Sequence, residues 1–336
     1  MINFNFVIIG YGHIGRRHKA IIEGFEGTSV SAVVDSDPNQ LLDISEKGIP
    51  TFDSLDAFFV SDIQADVVSI CTPNGFHCSQ AIAAIEHGYH VLIEKPMGLT
   101  KTECEQVVSA SLSHNRSVFV VKQNRYTPPI KWLKDIISKR LIGEIYQVKI
   151  DCFWNRDERY YTKGGWRGTK SLDGGVLFTQ FSHFIDIMYW VFGDVKNINT
   201  KLFNFNHQQN TQFADSGNVL FDFEKRGGGV LNFSTSVFEQ NLESTITVIG
   251  EKGSLKIGGQ YMNEIEYCHI KNYALPQLPI ANPPNDYGPF KGSAANHHYV
   301  IENVVNTLSG KDTIHTNAIE GMKVVDIIER MYGAAL

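Results

Sequence analysis

The chain has 336 residues, 43% of them hydrophobic and 20% charged, a composition ordinary for a soluble enzyme and a length that implies two domains rather than one core. A net charge of -6 with both signs interspersed offers no basic stripe for nucleic acid and no polybasic patch for a membrane surface. Cys71, Cys78, Cys104, Cys152 and Cys268 are odd in number and form no CxxC pair, so reduced thiols in a cytoplasmic protein are expected, not disulfides or structural zinc.

The amino-terminal run Phe4–Ile9 leads straight into a glycine turn without a cationic leader or a small-residue cleavage site, and reads as a first β-strand rather than a signal peptide. No apolar run approaches the roughly 18 residues needed to span a bilayer. A helix is expected over 14–23, with further buried strands over 30–34, 67–71, 91–93 and 118–121. Such β-branched runs, separated by helix-length segments, make a doubly wound parallel sheet. Residues 80–88 read as a crossover helix closed by Gly88, and Thr100 with Glu103 three positions on reads as the capped start of the next helix.

Beyond Gln123 the texture changes. A helix over 128–139 precedes the alternating segments 144–154, 218–223, 229–238 and 244–250, whose period of two belongs to a large, mainly antiparallel open sheet. Residues 272–293, rich in proline, asparagine and glycine, read as a long loop of the kind that often carries function. The expectation is an α/β chain with a Rossmann domain over 1–122 and an α+β domain over 123–336.

Gly10-Tyr11-Gly12-His13-Ile14-Gly15 follows a strand and opens a helix, the context in which a GxGxxG turn lets a backbone approach a pyrophosphate. Asp35 ends the next strand, where a carboxylate accepts from the adenosine ribose diol and repels a 2′-phosphate, which favours NAD over NADP. Thr72-Pro73-Asn74, with His77 one turn later, follows a strand at the carboxyl edge of the sheet, a place for cofactor contacts or a plain helix cap. Lys95, in Ile93-Glu94-Lys95-Pro96, lies at the same edge.

Together with Gly174-Gly175 and His183-Phe184-Ile185-Asp186, these motifs resemble the family of glucose–fructose oxidoreductase and inositol dehydrogenase along the whole chain. The resemblance implies a Rossmann domain, a second domain whose open sheet builds a homodimer or homotetramer, and a lysine (Lys95) and a histidine (His183) flanking the nicotinamide and the reacting sugar carbon. Val121-Lys122-Gln123-Asn124-Arg125, Phe153-Trp154-Asn155-Arg156, Gly165-Trp166-Arg167, Gln180-Phe181-Ser182-His183 and Asn241-Leu242-Glu243 are further similar to bacterial sugar-nucleotide oxidases that act on UDP-N-acetyl-glucosaminuronic acid. Those enzymes oxidise the 3-hydroxyl on the way to surface polysaccharide. Carried over residue by residue, the resemblance sets Gly10, Gly12, His13, Ile14, Gly15, Asp35, Thr72, Pro73, Asn74, His77, Glu94, Lys95 and Gln123 against NAD. It sets Arg125, Arg156, Tyr160, Trp166, Arg167, Gln180, Ser182, His183, Asn241 and His297 around the substrate.

One departure is visible: many family members carry an aspartate four residues before the histidine, and this chain has Thr179 there. Another group, such as Gln180 or a backbone carbonyl, must then orient His183. Neutral histidine suits the role of base near neutral pH, and Lys95 would stabilise the developing alkoxide or itself act as base. The arginines, set among Trp154, Tyr160, Tyr161 and Trp166, match a uronate or pyrophosphate. No metal is expected at Asn296-His297-His298-Tyr299, because adjacent histidines at a helix start point in different directions. Two rival readings are an NAD-dependent dehydrogenase of free sugars, inositols or glycosides, and a non-catalytic ligand-sensing regulator on the same fold.

Overall fold

The computed structural model describes residues 3–335 and divides into two compact units, one formed by the chain up to Val121 with His297–Val325, the other by Lys122–Asn296 with the chain from Asp326 onward. The segment 297–325 thus packs with the first unit before the chain rejoins the second.

In chain order the first unit contains β1 (Phe4–Ile9), α1 (His13–Ile22), β2 (Thr28–Val34), α2 (Pro38–Ser45), β3 (Thr51–Phe52), α3 (Leu55–Phe59), β4 (Val67–Ile70), α4 (His77–Glu86), β5 (His90–Ile93), α5 (Lys101–Ser113) and β6 (Val118–Val120). All six strands are parallel, in the order β3-β2-β1-β4-β5-β6. The strand order reverses between β1 and β4, and ligands of doubly wound sheets bind beyond the carboxyl ends of strands at such a switch point. The central strands have the near-continuous burial that a sheet covered on both faces requires, with every residue of β4 buried. Thr100 caps α5 as its sequence implies, its hydroxyl accepting from Glu103 N at 3.2 Å.

The second unit opens with a short turn, Gln123–Tyr126, then α6 (Pro128–Ser138), β7 (Ile145–Phe153), α7 (Val176–Thr179), α8 (Ser182–Phe192), β8 (Val195–Phe203), β9 (Ser216–Phe223), β10 (Gly228–Ser234), β11 (Glu243–Gly250), β12 (Gly253–Gly258) and β13 (Glu264–Ile270). These strands form a seven-stranded sheet in the order β13-β12-β11-β7-β10-β9-β8, antiparallel except for the β7–β10 pair. Alternation is clearest in β9, where Val219, Phe221 and Phe223 are buried while Asn218, Leu220 and Asp222 face out. Helix α8 covers the inner face: Phe192 packs on Phe223 with ring centroids 5.3 Å apart, and Trp154 meets Phe181 and Phe184 edge-on at 5.6 and 5.7 Å. The connection from β7 to β8 is therefore pinned at both ends, and it carries most of the chemistry-bearing residues.

The expected loop over 272–293 holds more order than its composition suggests. A two-stranded antiparallel ribbon, β14 (Pro284–Asp286) and β15 (Lys291–Ala294), lies within and just beyond it. The chain ends with α9 (His297–Leu308) and α10 (Ala318–Gly333). Among the described residues no helix is long and apolar enough to cross a membrane.

Candidate active site

In the first unit, two turn glycines are demanded by space. Gly10 has φ +84°, and a Cβ there would lie 2.8 Å from the Cys71 backbone; at Gly15 a Cβ would run into the Gly10 carbonyl. At Gly12 it would meet nothing within 4 Å, so the turn is crowded behind and open in front. His13 and Ile14 begin α1, which has no side-chain cap, and the first N–H groups of a helix find no partner within it. A glycine turn that opens onto a helix start is the kind of backbone that can take a diphosphate. Asp35 directly follows β2 and anchors the turn, Oδ2 accepting from Tyr11 N at 2.6 Å and Oδ1 from Asp37 N at 2.9 Å. Each oxygen keeps a further lone pair for a ribose hydroxyl.

Thr72, Pro73 and Asn74 leave β4, with the Thr72 hydroxyl donating to Gln80 Oε1 at 2.6 Å and Asn74 buried. His77 reaches Pro96 O at 2.7 Å through Nδ1 and Thr72 O at 2.8 Å through Nε2, strapping one strand-end loop to the next. Burial lowers its pKa, opposed by the two carbonyls. Lys95, at the end of β5, is partly exposed, and its backbone N–H donates to Glu94 Oε2 at 3.1 Å.

The other oxygen of Glu94 is the meeting point of a buried trio. Oε1 lies 3.1 Å from His18 Nε2 and 3.4 Å from His297 Nε2, while His18 Nδ1 is 2.8 Å from the Ser69 hydroxyl. The ligand-capable atoms of the three residues lie within 4.8 Å of one another, a spacing that could also hold a metal ion. Two imidazole N–H groups donating to one carboxylate oxygen account for the arrangement without one. His297, expected near the substrate, is placed here in the cofactor unit, bracing the residue before Lys95.

The trio makes stability depend on pH. Burial works against charge on His18, but Cys71 and Glu94 outweigh it and raise its pKa from 6.5 to about 10. A folded pKa above the unfolded one means stabilisation that is complete below 6.5 and drains away as pH climbs toward 10. Glu94 opposes its own burial through its two histidine partners, which hold its carboxyl well below 4.5, so its contribution is lost only in acid. The unfolding temperature is expected to fall across the window from 6.5 to 10, and His18→Gln to flatten that fall; an equally steep decline in the variant would place the titrating group elsewhere.

In the second unit, Arg156 is 4% exposed and surrounded by aromatic faces, its guanidinium 4.9 Å from the Trp154 ring and 5.3 Å from those of Tyr160 and Phe290. It donates to Asn241 Oδ1 at 3.2 Å and to the Lys291 carbonyl at 3.1 Å, all neutral acceptors, and its Nε is buried without a partner. Burial lowers its pKa, with neighbouring tyrosines opposing. Arg167 stacks on Tyr160 at 4.7 Å and Trp166 at 4.8 Å, and its Nε is likewise buried without a partner. Among the described residues neither arginine has a carboxylate within ion-pair distance.

Arg125 differs. Its fork grips Asp186, Nε to Oδ2 at 2.8 Å and an Nη to Oδ1 at 2.7 Å, both residues buried and Lys122 3.9 Å away. A guanidinium engaged in both directions braces the start of the second unit against α8.

His183, the second residue of α8, is buried with Nε2 3.2 Å from the Ser293 hydroxyl. Gln180 is buried with both side-chain polar atoms lacking a partner, as is the Ser182 hydroxyl beside His183. Asn124, quoted in the sequence as part of the run Val121–Arg125 but not among the residues assigned to cofactor or substrate, belongs with them: it is 1% exposed with both amide atoms unpartnered. Native proteins rarely leave such groups unsatisfied, and their concentration marks a surface shaped for a polar ligand. Asn241 closes one side of a recess of about 220 Å³ that is also lined by Asn155, Gln260, Phe290 and Lys291.

A doubly wound sheet with a crowded glycine turn after β1 and an acidic residue after β2 is the arrangement of a dinucleotide-binding domain. The chain belongs to the GFO/IDH/MocA family: residues 4–122 match its oxidoreductase, NAD-binding Rossmann-fold model and residues 130–256 its C-terminal domain model. Its cofactor is NAD. The fold is similar to that of the WlbA dehydrogenase of Bordetella pertussis in complex with NADH and UDP-GlcNAcA, at 28% identity, TM-score 0.87, covering 99% of this chain and 96% of that one. The Chromobacterium violaceum WlbA dehydrogenase, with the same two ligands, gives 29%, 0.88, 99% and 94%. Oxidoreductase P35 of Formosa agariphila is 28% identical over 75% of this chain and 78% of its own length.

A preference for NAD over NADP is expected from Asp35, whose carboxylate would repel a 2′-phosphate. Asp35→Ala is expected to weaken NAD binding and narrow the gap between the two cofactors. Equal affinities of the unaltered protein for NAD and NADP, by titration, would remove this role.

Proposed function

We propose that this protein oxidises a sugar secondary hydroxyl with NAD, namely the 3-hydroxyl of UDP-N-acetyl-glucosaminuronic acid in surface polysaccharide biosynthesis. The observation that carries the substrate class is Arg156, buried, and Arg167, part-buried, two cations stacked on aromatic rings with no carboxylate in ion-pair distance among the described residues. An unpaired buried charge is expensive, and an anionic substrate supplies the missing counter-charge: a uronate or a pyrophosphate for the forks, a sugar or uracil face for the rings. The two WlbA dehydrogenases, crystallised with UDP-GlcNAcA, support the same class.

NAD takes the hydride from the sugar carbon, leaving a ketone. The hydroxyl proton passes to His183, and Lys95 stabilises the negative charge on the oxygen as it develops. Gln180, Ser182, Tyr160, Trp166, Asn241 and Asn124 orient the sugar nucleotide through the polar atoms and rings described above. The protein is a homodimer or homotetramer built through the outer face of the seven-stranded sheet, where Leu220, Ile249 and Tyr267 are exposed.

A thermal-shift screen with NAD present tests the substrate, since a ligand far above its Kd adds a few kcal/mol to the native state. UDP-linked uronic acids are expected to raise the unfolding temperature, and neutral free sugars to leave it unchanged. The reverse order would move the protein to the free-sugar dehydrogenases of the family.

A further inference from the structure

The aspartate that would accompany the catalytic histidine is replaced by Thr179, and the Thr179 hydroxyl is itself turned to the buried Asp173 carboxylate. Gln180, one of the groups expected from sequence to orient the ring, has no hydrogen bond to it, and His183 Nε2 instead has a side-chain partner. That partner is the hydroxyl of Ser293, 110 positions later in the chain.

We propose that Ser293 is the positioning residue for His183, doing with a neutral hydroxyl what a carboxylate does elsewhere; the proposal rests on the reading of His183 as the base. Ser293 is buried, as are both of its side-chain partners, Gln123 and His183. Gln123 Nε2 lies 3.2 Å from Ser293 Oγ and has only protons to offer, so the hydroxyl oxygen accepts there. The second lone pair of the same oxygen accepts from His183 Nε2–H, as a carboxylate would, so the neutral ring keeps its own lone pair on Nδ1, the nitrogen that takes the substrate proton, and Nε2 stays protonated before and after the transfer. The serine thus holds the ring through both protonation states and fixes which nitrogen is committed to the protein, without adding a charge that would favour imidazolium.

The backbone explains why a serine so far along the chain can serve. Ser293 sits on β15, held by β14 through the Pro284–Ala294 and Asp286–Lys291 pairs and by Asn285 Nδ2 donating to the Ala294 carbonyl at 3.3 Å. Two residues earlier on the same strand, the Lys291 carbonyl accepts from Arg156 at 3.1 Å and from Asn241 at 3.1 Å. One short ribbon therefore fixes both the anion-binding arginine and the base, so a substrate gripped by the first is set in register with the second.

The test compares Ser293→Ala, Ser293→Thr and His183→Asn, assayed with NAD and UDP-N-acetyl-glucosaminuronic acid, with histidine ring nitrogens read by 15N NMR in labelled protein. In Ser293→Ala, kcat is expected to fall about tenfold, part of the contribution of a well-placed base, with KM and the Kd of NADH little changed. Ser293→Thr, which keeps the hydroxyl, restores most of the activity. The His183 resonances, assigned by their loss in His183→Asn, show a single hydrogen-bonded tautomer in the unaltered protein; this measurement requires neither the right substrate nor a folded alanine variant. Averaged ring nitrogens in the unaltered protein, or undiminished kcat in Ser293→Ala beside a crippled His183→Asn, would overturn the role of Ser293 and leave His183 as base. Full activity in His183→Asn would overturn both.

Discussion

Exchanging His183 for asparagine, or Lys95 for methionine, is expected to lower turnover by about a hundredfold or more while NADH still binds. Asparagine keeps a hydrogen-bonding side chain at the start of α8 but cannot take a proton, and methionine keeps the reach of lysine without its charge. In the proposed reaction both groups act as the hydroxyl loses its proton and the oxygen gains negative charge, so the loss should fall on kcat and kcat/KM alike rather than on KM. Steady-state kinetics with fluorescence titration of NADH checks this. Turnover close to that of the unaltered protein in both variants would shift the chemistry away from these residues and favour a ligand-sensing role for the fold.

The first unit was legible because its physics is local. Buried strands such as Val67–Ile70 read as unbroken apolar runs, and Gly10 and Gly15 announce a turn that tolerates no side chain. Strand β3, two residues long, and β13, mostly exposed with the sequence EIEYCHI, leave too little periodic signal to find. The ribbon at 284–294 hides behind proline, asparagine and glycine, residues that signal a loop wherever they occur.

What the site residues do was harder to read than which residues they are. Arg125 and Arg156 look alike in the chain, each beside aromatic residues, yet Asp186, 61 positions on, neutralises the first, and among the described residues no carboxylate meets the second. His297 is recognisable as a residue of interest, but its partners His18 and Glu94 come from the opposite end of the sequence. Such pairings are made by the fold, and no local spacing encodes them.

The difference between the two arginines yields a prediction with opposite signatures. Arg156→Lys keeps a positive charge but loses the planar fork, and the shorter ammonium cannot reach Asn241, the Lys291 carbonyl and a ligand anion together. The KM for the sugar nucleotide is therefore expected to rise about tenfold, on the order of 1.4 kcal/mol, with NAD affinity and the unfolding temperature little changed. Arg125→Ala instead leaves the buried Asp186 with only Lys122 at 3.9 Å. Removing one partner of a buried ion pair costs about 3 kcal/mol or more, so this variant should unfold at markedly lower temperature. Its folded fraction is expected to bind substrate with nearly unaltered KM, because that guanidinium is already engaged by Asp186. Kinetics and thermal unfolding of the two variants side by side separate these outcomes. A raised KM in the Arg125 variant, or a neutral sugar turned over as well as a UDP-linked uronic acid by both the unaltered protein and the Arg156 variant, would move the anion site away from Arg156 and with it the proposed substrate.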